Sequence, residues 1–153
     1  MRRTYSSTSL QQLRLIRSLL LSLACAVLPA TAQAAGMVLV ALNPQTPEIT
    51  LKREDVADLF LGRRKLYAGE VSLVPLDTKD ETLRESFYQG VAGMSSNRVR
   101  AHWARLVFSS HGRPPREVDA ETALASLLND RGILIYTFAN RVPPGAKIML
   151  KLD

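Results

Sequence analysis

Cysteine occurs once, at position 25, and histidine only twice, at positions 102 and 111. One thiol excludes an internal disulfide. Two histidines with no His-x-x-x-His or Glu-x-x-His spacing fall short of a zinc site that has no cysteine ligands. Neither a Gly-x-Ser-x-Gly elbow nor a Gly-x-x-x-x-Gly-Lys loop occurs, so the usual hydrolase nucleophile and the usual nucleotide cradle are both missing. There is no internal repeat, and no low-complexity tract beyond the N-terminal stretch. Asp77, Asp80, Glu81 and Glu85 cluster in sequence, but acids around a helix start stabilise its positive end and need no catalytic role. The expectation is a non-catalytic protein without cofactor or metal.

The N-terminus is more explicit. Arg2, Arg3, Arg14 and Arg17 precede an apolar stretch from Leu19 to Leu28, and Ala32-Gln33-Ala34 has the small-x-small form of a signal-peptidase site. The apolar run is shorter than the roughly 20 residues of a membrane span. Residues 1–34 are therefore read as a cleavable secretory leader and residues 35–153 as the exported, periplasmic domain. Cys25 lies inside the leader, where Ser22 replaces the leucine usual in a lipoprotein motif, so cleavage after Ala34 is expected instead of lipidation. Four of the 20 basic residues leave with the leader and none of the 14 acidic ones, which lowers the formal charge from +6 to +2. A nearly balanced domain gives no general attraction to nucleic acid.

What remains is 119 of the 153 residues, enough for one domain with one modest core. The continuous apolar run Met37–Leu42 predicts an inner strand, and the two prolines of Asn43–Pro47 a loop after it. The stretch from Asp55 to Phe87 organises the rest. Val56, Leu59 and Phe60 have the spacing of a half-buried helix that Gly62 terminates, and Val71, Leu73, Val74 and Leu76 read as a strand. Thr78 and Glu81 are spaced as a capping box for a second helix with Leu83, Phe87 and Val91 on its apolar stripe.

Gly90 and Gly93 break that helix, and Ser95 or Ser96 caps the next. Val99, Trp103, Leu106 and Val107 give this third helix a buried face with Trp103 in the core, while Arg98, His102 and Arg105 line its neighbouring, solvated face. Ser109–Glu117 is a loop by its Gly-Arg-Pro-Pro composition. Asp119 caps a helix with Leu124, Leu127 and Leu128 inward, and Gly132 ends it. A strand over Gly132–Phe138 and an edge strand containing Ile148, Leu150 and Leu152 complete the chain.

Two phrases in this frame carry a family likeness. Leu59-Phe60-Leu61-Gly62-Arg63, followed by a strand ending at Leu76 and a helix with Phe87, resembles the periplasmic phosphate-binding proteins of ABC importers. Trp103-Ala104-Arg105-Leu106-Val107-Phe108 followed by Gly112-Arg113-Pro114-Pro115 resembles a signature of small phosphate-binding-protein-like chains. The resemblance implies an α/β fold, a single lobe like that of a type II periplasmic binding protein, with a mostly parallel sheet flanked by helices. A two-lobed member needs about twice this length.

The resemblance also implies an oxyanion site for inorganic phosphate at strand ends, which falls here on Thr46, Asp77, Thr78, Thr82 and Arg84. The chain departs from the family in three places: Asp77 stands for an arginine, Glu81-Thr82-Leu83 for Ser-Gly-Thr, and Ile135 for an inner glycine. Two functions therefore stay open. One is solute binding related to phosphate transport. The other is a ligand-free interaction module that docks on an inner-membrane transporter or envelope protein, or pairs as a homodimer.

Overall fold

The computed structural model describes residues 37–152, so the leader expected over residues 1–34 lies outside the described residues. In chain order the elements are β1 (Val38–Leu42), α1 (Arg53–Phe60), a hairpin of β2 (Tyr67–Ala68) and β3 (Val71–Ser72), β4 (Val74–Thr78), α2 (Glu81–Ala92), α3 (Ser96–Phe108), β5 (Arg116–Val118), α4 (Ala120–Asn129), β6 (Ile133–Phe138) and β7 (Lys147–Leu152). No described helix is long and apolar enough to cross a membrane.

The main sheet has the order β5-β4-β6-β1-β7. β4 pairs in parallel with β5 and β6, whereas β1 pairs antiparallel with both β6 and β7. Four strands thus share one direction and β1 opposes them. β1 is buried at every position, as its unbroken apolar run predicts, and β7 is an edge.

Side chains alternate across the sheet. Val38, Val40 and Leu42 of β1, with Leu134 and Tyr136 of β6, face the larger core, which contains Phe60 of α1, Phe87 and Tyr88 of α2, and Val99 and Trp103 of α3. Ala41, Ile133 and Ile135 face the smaller core under Leu127 of α4, together with Leu76 and Val118. Three helices cover one face and one helix covers the other, the mostly parallel α/β arrangement expected from the sequence.

Several local expectations are corrected. The helix after β4 starts at Glu81 with Asp80 as its cap, its carboxylate accepting from the backbone N–H groups of Thr82 and Leu83; Thr78 remains in the strand. Asp wins because it reaches the free N–H groups from the residue immediately before the first turn. α2 runs through Gly90, where a Cβ would come within 3.2 Å of Leu152, and ends at Gly93 in the left-handed conformation. The run Val71–Leu76 is two elements, a hairpin strand and β4. The proline-rich loop ends in the short edge strand β5, and Leu128 is exposed while Leu127 is fully buried.

Candidate functional site

Asp77 is the last but one residue of β4 and is 2% exposed. Every donor it needs is supplied from inside the chain. Its Oδ1 accepts the N–H of Thr78 at 2.8 Å and the hydroxyl of Tyr136 from β6. Its Oδ2 accepts the hydroxyl of Tyr88 from α2 at 2.9 Å and lies 3.2 Å from Nη2 of Arg84, one turn earlier on the same helix. Arg84 is also buried, and its Nη1 pairs with Glu117 of β5. A charge so deep in a small domain is tolerated only with this kind of pairing.

Aromatic rings enclose the group. Phe87 stacks on Tyr136 at 3.8 Å between centroids, and Phe60 meets Phe87 edge-on at 4.7 Å. Burial first, and then the neighbouring Asp77 carboxylate, pushes the hydroxyls of Tyr88 and Tyr136 far above the usual tyrosine range. Burial pulls the Arg84 guanidinium down, but Asp77 and Glu117 outweigh it and the net shift is upward. The adjoining cavity, lined by Asp77, Thr78, Tyr136 and residues of α4, measures about 10 Å³. That is at the lower limit for one water molecule.

Of the five residues expected to form an oxyanion site, Asp77, Thr78 and Arg84 do come together. Thr82 is exposed on α2, its N–H already taken by Asp80. Thr46 lies at the opposite end of the sheet. Because β1 runs against β4 and β6, the loop after Leu42 sits beside the start of β6, where the Thr46 hydroxyl donates to the Arg131 carbonyl at 2.7 Å. In the same loop Asn43 donates to the carbonyls of Leu127 and Leu128 and so closes the free end of α4. Sequence reading missed Tyr88, Tyr136 and Glu117. Tyr88 is legible in retrospect, four residues after Arg84 and so on the same helical face, and Tyr136 is a hydroxyl in an otherwise apolar strand that must find a partner. Glu117 is not legible, since only the β4–β5 pairing brings it near.

The two family-like phrases also meet in space. Gly62, at φ 68°, and Gly112 flank the six-membered ring of Trp103: a Cβ on Gly62 would stand 2.5 Å from Cη2, and one on Gly112 3.5 Å from Cζ3. Trp103 is buried, as expected. His102, on the stripe read as solvated, is hydrogen-bonded through Nε2 to the Leu61 carbonyl at 2.9 Å and ties α3 to the end of α1. Above Trp103 opens a groove of about 840 Å³ between the loop Gly62–Lys65, the β3–β4 segment and the loop His111–Arg116. None of the five expected site residues lines it.

No protein-family model and no curated protein matches this sequence. Solved structures do match in fold. An ABC-type phosphate transport receptor from Vibrio cholerae superposes with a TM-score of 0.54 at 12% identity, over 75% of this chain and 46% of that one. A protein assigned as a phosphate ABC transporter substrate-binding protein, with bound phosphate, from Clostridium perfringens gives 0.56 at 10% identity, over 75% and 45%. The chain thus shares the α/β fold of these substrate-binding proteins while spanning about half of their length.

Proposed function

We propose that this chain is an exported, non-catalytic binding module on the fold of phosphate-transport substrate-binding proteins, which acts by contact with a partner and does not hold inorganic phosphate at the start of α2. The observation that carries this reading is the saturated carboxylate of Asp77. Arg84, Tyr88, Tyr136 and the Thr78 N–H converge as they would on a bound anion, and the protein's own side chain occupies the point of convergence. The nearby helix start is closed in the same way, by Asp80.

Three further points support the reading. The roughly 10 Å³ beside Asp77 has no room for an oxyanion. The chain spans about half the length of its structural neighbours, and a transporter, an envelope protein or a second copy is the kind of partner this reading calls for. The arginine-flanked, apolar character of residues 1–34 supports export to the periplasm as part of this reading. A second reading, solute binding related to phosphate uptake through Thr78, Thr82 and Arg84, is favoured by the phosphate held in the Clostridium perfringens neighbour.

Titration calorimetry and thermal melts in phosphate, sulfate and chloride separate the two. A bound ligand at 100 times its dissociation constant adds about 2.7 kcal/mol to the folded state, several degrees in a domain of this size. The expected result is no saturable heat and no phosphate-specific shift. Saturable phosphate binding that is lost in Arg84→Ala would establish the second reading.

A further inference from the structure

Building on the reading of this chain as a binding module, we infer that the groove over Trp103 docks an acidic, extended segment of a partner protein. Arg63, Arg64 and Lys65 from the loop after α1 and Arg113 and Arg116 from the loop leading into β5 line it, and no aspartate or glutamate does. Residues 35–153 carry a formal +2, so with five positive charges gathered here the remainder of the domain is net −3. The charge is segregated, and the segregation points at one surface.

Arg63 and Arg64 are held by Asp58, at 3.5 Å, and Asp55, both on α1 outside the groove lining. Both arginines stay half exposed, so they remain available to a second carboxylate. Lys65, Arg113 and Arg116 form no ion pair among the described residues. Five cations contributed by two separate loops suit several negative charges spaced along a segment better than one compact ion.

The floor fixes the rest of the partner's character. Leu73, Pro75 and Trp103 line it, and Val74 beside them is 46% exposed. Leu73 and Trp103 are almost wholly buried, so the apolar surface on offer is that of Val74 and the part-exposed Pro75; an inorganic oxyanion would leave it in water, whereas a segment alternating acidic and apolar residues covers it. β5 pairs with β4 only from Leu76 onward, which leaves the β4 edge open at Val74 and Pro75. Pro75, Pro114 and Pro115 have no N–H to donate, so an added strand gains little ladder pairing. Recognition falls on the arginine forks and is therefore sensitive to salt.

The test is fluorescence anisotropy of the purified protein with a labelled peptide that alternates glutamate and leucine, in low and high salt. Saturable binding is expected, weakened by salt and reduced about tenfold or more in Arg113→Glu/Arg116→Glu. Arg98→Glu/Arg105→Glu makes the same charge change on α3 outside the groove and is expected to retain binding; circular dichroism checks that both variants fold. Equal losses in the two variants, or no binding by the parent, would overturn the inference. So would groove-dependent binding of an organic polyphosphate or anionic vesicles in place of the peptide, or a groove-dependent dimer in sedimentation. Phosphate calorimetry is independent of all these outcomes, so failure here and failure of the proposed function are distinguishable.

Discussion

Asp77 and Arg84 are worth most to the fold as a pair. Removing one partner leaves the other buried and under-satisfied, which costs about 3 to 5 kcal/mol, a large part of the stability of a domain this size. Tyr136→Phe removes one hydrogen bond to the carboxylate and is expected to cost about 1.5 to 3 kcal/mol in urea denaturation. The tyrosines also set an alkaline limit. Their hydroxyl pKa values are raised in the folded state, so the stability they add is fully present below the unfolded value of about 10 and falls as pH rises above it. Urea midpoints measured across that range should decline steeply for the parent and less steeply for Tyr88→Phe/Tyr136→Phe; equal slopes would remove the tyrosines from the account.

At the scale of elements, patterns confined to one segment were legible and pairings between segments were not. The apolar run of β1, the burial of Val99 and Trp103 on α3, the Asp119 cap and the edge position of β7 all follow from local periodicity and turn chemistry, whereas Val107, expected on the same buried stripe, is 51% exposed. The direction of β1 does not, because an apolar run reads the same whichever way it is inserted into a sheet. That one reversal separates Thr46 from Asp77 and takes it out of the expected site. Only the fold, likewise, shows that the Gly62 turn and the Gly112 loop exist to hold the Trp103 ring. Trp103→Ala should lower stability by about 3 to 5 kcal/mol. Gly62→Ala should cost more than about 1 kcal/mol, since it meets both a left-handed φ and the ring. A loss below about 1 kcal/mol for Trp103→Ala would take the ring out of the core.

For the whole molecule, the formal charge is +6 with residues 1–34 and +2 without them, so the expected cleavage matters. Mass spectrometry of the protein from an envelope fraction is expected to give a chain starting at Ala35 without lipid; a lipidated chain starting at Cys25 would contradict it. The central claim is that the side chain of Asp77 occupies the point on which Arg84, Tyr88, Tyr136 and the Thr78 N–H converge, and leaves no place there for phosphate. Thermal melts of Asp77→Ala in formate and in phosphate test it most directly, because truncation leaves Arg84, Tyr88, Tyr136 and the Thr78 N–H around a void the size of a carboxylate. The account predicts a destabilised variant whose Tm rises with formate and not with phosphate, and a parent whose Tm responds to neither. A parent stabilised by phosphate, or an Asp77→Ala variant as stable as the parent, would contradict it.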